Sequence, residues 1–177
     1  MSLSRVLGTL LVTTVALTAT VGAQGAAGAS LGEAAVFSLY VQRHANTIQL
    51  ADLAATRGTD GQIRKTAETI ARAHREAKEK LERSAVERHL TLAPPARDTS
   101  TALLARATGA LEGKTGRAFD STWVSVANDW FSTLILDNNR NVSARVADPG
   151  LRAMAQAHTT WLFGQSVEVD KLRKKFR

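Results

Sequence analysis

The chain predicts an all-α fold: four amphipathic helices of similar length in an antiparallel bundle, with a short extra helix between the second and third. Three observations predict it. Apolar residues recur at three- and four-residue spacing along nearly all of the chain beyond residue 30. The breaks in that rhythm are short and carry turn chemistry. Alanine and arginine are frequent while prolines number 3 and aromatics make up 5%, a balance that favours helix over strand. At 177 residues there is room for one domain, expected over residues 31–176.

Residues 1–23 stand apart. Arg5 is followed by an uncharged apolar run over residues 6–21, and Val21-Gly22-Ala23 has the small-x-small form of a cleavage site ahead of Gln24. The run is shorter than the ~20 residues of a spanning helix and is diluted by threonine. A cleaved signal peptide is therefore expected, with a secreted or periplasmic mature chain and no transmembrane helix after its removal. An uncleaved anchor is the competing reading.

The first helix is expected from about Leu31 to Thr56, with Phe37, Val41, His44, Ile48, Ala51 and Ala55 on its apolar stripe. Arg57-Gly58-Thr59-Asp60-Gly61 supplies a turn and an N-cap. The second helix follows to about His89, with Ile63, Ala67, Ile70, His74, Ala77, Leu81 and Ala85 inward. Pro94-Pro95 stops it, and Asp98, Thr99 or Ser100 can cap a short helix near residues 101–110. Gly113-Lys114-Thr115 has part of a phosphate-binding loop, but Thr108 stands where that loop needs glycine and no strand precedes it.

The third helix is expected over about residues 117–146, with Phe119, Trp123, Val126, Trp130, Leu134, Asp137 and Asn141 inward. Asp148-Pro149-Gly150 ends it, with Asp148 capping a fourth helix that has proline in its first position. The fourth stripe is Leu151, Met154, His158, Trp161, Leu162, Gln165, Val169 and Leu172. Trp123 and Trp130, seven apart, with Trp161 opposite, read as core packing.

Composition excludes several chemistries. There is no cysteine, hence no disulfide, thiolate metal site or cysteine nucleophile. No Gly-x-Ser-x-Gly supplies a serine nucleophile. Loss of the signal peptide removes Arg5 and no acid, taking the net charge from +7 to +6. The excess lies at the end, in Lys171, Arg173, Lys174, Lys175 and Arg177. Those cations are a candidate contact for an anionic surface, or simply a solvated helix end that suits the helix dipole. No nucleic-acid-binding motif is present.

Three histidines fall on apolar stripes. From the turn at Gly58, His44 and His74 lie at equal depth, about 20 Å at 1.5 Å per residue, and can face each other. His158 and Asp137 lie at comparable distances on either side of the turn near Asp148, about 15 Å. The spacing thus offers two pairs, His44 with His74 and His158 with Asp137. They are candidate transition-metal ligands on one reading, and hydrogen-bonded core polar groups on the other.

The stretches NTIQLADLAATRGTDGQIRKTAETIARAHREAKEKL, GRAFDSTWVSVANDWFSTLI and DPGLRAMAQAHTTWLFGQSVE resemble, in order and spacing, the family of exported bacterial proteins called domain of unknown function 4142. The resemblance spans about residues 36–172 and implies a ferritin-like bundle able to hold metal. His74 falls on the family's histidine, and Phe119-Asp120 on its Phe-Asp pair. Three other family positions lack ligands here: Thr47 replaces a glutamate, and Phe131 and Gln165 replace histidines. The Glu-x-x-His signature of dimetal helices is missing too, since Ala71 and Ala155 stand three residues before His74 and His158. The expectation is an exported, non-catalytic bundle with a degenerate metal site, no resident cofactor, and an envelope or extracellular partner. The alternative is a divergent metal-binding bundle using His44, His74, Asp137 and His158.

Overall fold

The computed structural model describes residues 30–96 and 98–176. The expected signal peptide lies outside these residues, as does Arg177. Five α-helices and one π-helical turn follow one another, with no strand among the described residues: α1 (Glu33–Arg57), α2 (Gly61–Glu87), α3 (Thr99–Leu111), α4 (Gly116–Asp137), the π turn (Asn138–Ser143) and α5 (Pro149–Arg173).

Local chemistry sets the boundaries. Asp60 caps α2 by accepting from the amides of Gln62 and Ile63, Asp98 caps α3 through Ser100 and Thr101, and Asp148 caps α5 through Leu151. Pro149 in the first position of α5 costs no hydrogen bond, because that amide has no helical partner. α2 ends at His89, whose φ of 55° is left-handed, with Leu90 N–H bonded to Ala85 O at 2.8 Å. Gly58 closes α1 where a Cβ would come within 2.6 Å of Ala54 O.

α1 and α2 are antiparallel neighbours. The links Arg75–Asp52 and Arg88–Glu33 descend α1 as they climb α2. α2 also touches α5, α5 packs along α4, and α4 returns to α1, while α3 lies on α4 and α1. α1 therefore meets three other helices. Its buried face is broader than the stripe the periodicity predicts, taking in Tyr40, Arg43, Asn46, Thr47 and Ala54, while Val41, Ile48 and Ala55 are half-buried.

Two apolar clusters fill the interior. The larger draws on all five helices and contains Ile63, Phe119, Trp123, Trp130, Phe131 and Leu162. The smaller contains Val36, Leu39, Tyr40, Val142, Val146 and Ala155. Trp123 Nε1 donates to Leu50 O at 3.0 Å and Trp130 Nε1 to Thr47 Oγ1 at 3.0 Å, so both indoles bury their rings without stranding a donor.

The third predicted helix is not continuous to residue 146. It leaves α-geometry at Asn138, where the π turn begins. A π turn takes more residues per revolution, so every residue after it is rotated relative to an unbroken α-helix. This explains why Asn141, predicted inward, is exposed, while Asn138 and Val142 are buried. No helix is long and apolar enough to cross a membrane among the described residues.

Candidate functional site

Along their own helices, Arg43 and His44, His74, Asp137 and Asn138, and His158 each fall between residues of the two apolar clusters. They form a polar layer between them. Its imidazole half lies where α1, α2 and α5 meet. His44 Nδ1 and His74 Nδ1 face each other at 2.9 Å, as their equal depth predicts. His158 joins them, its ring centroid 5.2 Å from that of His44 in an edge-to-face arrangement. Trp161 closes the cluster, at 4.5 Å from the His74 ring and 5.4 Å from that of His44, and stacked on His158 at 5.6 Å.

Burial controls the charge of this group. It pushes the His44 imidazole down to about 4, helped by Lys78, and His158 down to about 3, helped by the neighbouring His44 and Arg43. His74, 1% exposed, is held well below the ordinary histidine range by burial and then by the other two rings. All three are therefore neutral near pH 7. The 2.9 Å contact then joins an N–H to a lone pair, which requires different tautomers at His44 and His74. The Nε2 atoms of His74 and His158 are buried without a hydrogen-bond partner. A groove of about 410 Å³ reaches this cluster from outside, lined by Tyr40, His44, Met154, His158 and Trp161 among others, with Lys80 and Arg88 on its rim.

The other half of the layer is a hydrogen-bonded lock. Asp137, expected opposite His158, instead forms a buried ion pair with Arg43 and accepts from Asn141 Nδ2 at 2.7 Å. The reason is positional: the Arg43 guanidinium is 2% exposed and its charge needs a counter-charge at that level. Asn138 takes the Tyr40 hydroxyl at 2.8 Å and donates to Ala155 O and Thr159 Oγ1, both at 2.8 Å. Tyr40 in turn lies 4.3 Å from the His158 ring, so the two halves touch. Burial, opposed by Arg43 and Asn138, pushes the Tyr40 hydroxyl up to about 12 and keeps it a donor.

A dimetal centre at the ferritin-like positions does not fit these residues. Thr47 accepts from Trp130 and donates to Arg43 O at 2.8 Å. Phe131 is 2% exposed and lies 6.2 Å from the His74 ring. Gln165 lines a separate surface groove with Gln62, Lys65 and Glu168. At the three positions that the resemblance implies, a hydroxyl stands for a glutamate, and a phenyl ring and an amide stand for histidines. Among the described residues, no three His, Cys, Asp or Glu side chains are set to hold one metal ion.

The terminal cations are largely paired. Lys171 bonds Glu168 at 2.6 Å, Arg173 bonds Asp170 at 2.7 Å and Lys175 bonds Asp60 at 2.5 Å, while Lys174 is exposed. Leu172 is buried and Phe176 packs on the larger cluster, so this segment is docked on the helices.

The periodicity missed Arg43, Asn138 and Asp120. Asp120 Oδ1 accepts the Thr59 amide at 3.0 Å, and Oδ2 accepts Thr59 Oγ1 at 2.6 Å and the Asp60 amide at 2.9 Å. It thereby fixes the α1–α2 turn. The Phe119-Asp120 pair was the signal available for it: Phe119 is fully buried, and the acid beside it is 1% exposed.

No curated protein and no solved structure matches the chain. The family model described as domain of unknown function DUF4142 matches residues 18–172, and the chain belongs to that family.

Proposed function

We propose that this is an exported, non-catalytic helical-bundle protein that works through its surface on an envelope or extracellular partner. Its four long helices are read as a ferritin-like bundle, supported by the closed circuit of contacts α1–α2–α5–α4–α1. Export rests on the apolar leader ahead of residue 24. The observation that carries the non-catalytic reading is that Thr47, at the position of the family's glutamate, is a hydroxyl bonded to Trp130, and that the side chain beside His74 at a family histidine position is the phenyl ring of Phe131. Elsewhere in the polar layer, Asp137 is held by Arg43 and Asn141, and Asn138 by Tyr40 and α5.

The experiment is elemental analysis of residues 24–177 purified without chelator or affinity histidines, with iron and manganese loading afterwards. No stoichiometric iron or manganese, and no iron oxidation above buffer, is the expected result. Either metal at one or two ions per chain refutes the reading. Surface attachment through Lys171, Arg173, Lys174, Lys175 and Arg177 is tested by changing the exposed cations to glutamine. Truncation is unsuitable because Leu172 and Phe176 belong to the core.

One observation favours a second reading, a divergent metal-binding bundle: His44, His74 and His158 do converge. Asp137 leaves that ligand set because Arg43 holds it.

A further inference from the structure

We propose that His44 and His74 form a two-nitrogen site for monovalent copper, reached through the groove lined by Met154, His158 and Trp161. The inference rests on the second reading above and specifies its metal. Four features select the ion.

The first is the donor pair. Two neutral imidazoles from different helices aim Nδ1 atoms at each other, 2.9 Å apart. Metal–nitrogen bonds of about 2 Å place two ligands roughly 3.3 Å apart at a tetrahedral angle and roughly 4 Å apart when linear. Each ring therefore has to retreat by about half an ångström to admit an ion, a movement on the scale of a small side-chain rotation. A hydrogen bond between the two nitrogens is the resting state of such a pair; to admit the ion, the ring that carries its proton on Nδ1 shifts it to its own Nε2, so both imidazoles stay neutral and both Nδ1 lone pairs face the ion.

The second is ligand number. Among the described residues, no third His, Cys, Asp or Glu is placed to share an ion with this pair. Zinc needs four ligands, whereas d¹⁰ monovalent copper is content with two. The third is charge. Lys78 and Arg43 act on the imidazoles, and Lys80 and Arg88 line the groove. The carboxylates of Glu82, Asp137 and Glu33 are engaged by Lys78, Arg43 and Arg88, so none is spent on the imidazoles and one positive charge is tolerated better there than two.

The fourth is softness. The site is walled by polarizable groups: the Trp161 ring against all three imidazoles, and the Met154 thioether in the approach. Aromatic faces attract cations, and thioethers favour monovalent copper.

The test is an anaerobic titration of residues 24–177 with monovalent copper against a competing copper(I) chelator, followed by X-ray absorption. The expected result is one ion per chain with two nitrogen neighbours at about 2 Å. His44→Phe and His74→Gln should each weaken binding at least 100-fold. His158→Phe should weaken it less than tenfold, and His89→Ala not at all. Circular dichroism and thermal melting of each variant establish that it is folded, and His44→Gln replaces any variant that is not. Copper uptake equal in wild type and the His44 and His74 variants overturns the site. So does zinc(II) held in preference to copper(I), or no copper beyond the chelator. Stoichiometric iron or manganese would instead sink the non-catalytic reading, and leaves this titration independently readable.

Discussion

Asp120 is the clearest place to test how this fold is held. Its carboxylate is 1% exposed and accepts three hydrogen bonds from the α1–α2 turn, two of them from backbone amides. Asp120→Ala removes all three acceptors at once. A hydrogen bond to a charged group contributes about 1.5–3 kcal/mol. The three share one carboxylate, and Thr59 is exposed enough for water to replace part of what it loses, so their effects do not add. A net loss of roughly 3 kcal/mol is expected. For a domain of this size 1 kcal/mol moves the melting temperature by about 2–4 °C, so Tm should fall by about 6–12 °C.

Asp120→Asn keeps an acceptor oxygen but turns an NH2 toward N–H donors, and should lose about half as much. The assay is urea denaturation followed by far-ultraviolet circular dichroism on residues 24–177. Thr59→Ala, alone and combined with Asp120→Ala, gives the coupling energy. A loss under about 1 kcal/mol for Asp120→Ala, or strict additivity with Thr59→Ala, refutes the idea that this carboxylate organises the turn.

Other predictions concern the polar layer and its surroundings. Arg43→Met leaves Asp137 buried without its partner and should cost about 3–5 kcal/mol, while Arg43→Met with Asp137→Leu should recover most of it; a double variant as unstable as the sum contradicts this. In the metal-free chain the three imidazoles have folded-state values below the ordinary 6.5, so the unfolded chain binds more protons over that interval. Their stabilisation is complete above about pH 6.5 and is lost as pH falls toward 4, at roughly 1.4 kcal/mol per pH unit per group. His44→Leu should remove about one proton from that slope in urea titrations at successive pH values, and an unchanged slope counts against a buried neutral His44. Gly58→Ala should cost roughly 1–3 kcal/mol, because its Cβ meets the Ala54 carbonyl at 2.6 Å; an unchanged melting temperature would mean that the turn relaxes freely. Trp130→Phe strips the donor from Thr47 Oγ1 and should cost about 1–3 kcal/mol, measured by thermal melting.

The helices were legible because caps and breaks are local chemistry. Asp60, Asp98 and Asp148 each accept from amides two or three residues on, and any reader of the sequence meets them in order. The facing of His44 and His74 was legible too, since it needs only two helices, one short turn and a constant rise. What failed was phase after residue 137. Asn138-Asn139-Arg140-Asn141 carries no proline or glycine to announce a break, and an α-period carried through it places Asn141 inside. The π turn places Val142 there instead, while Asn138, four residues after the buried Leu134, is inside where the turn begins and partners Tyr40.

The depth count for Asp137 and His158 holds, because Asn138, next to Asp137, bonds Ala155 and Thr159 on either side of His158. In the structure Asp137 turns to Arg43, a residue whose charge an apolar stripe passes over, since Arg43 stands beside His44 rather than on its face. The result separates two chemistries that the sequence had merged. Carboxylate and guanidinium close on each other toward α4, and the imidazoles are left on the α2–α5 side with aromatic neighbours and no anion. A hard ion needs those two halves together. The engagement of Asp137 by Arg43 is what makes the proposed soft, singly charged ion, or a purely structural imidazole cluster, a better fit to this layer than a carboxylate-bridged metal pair.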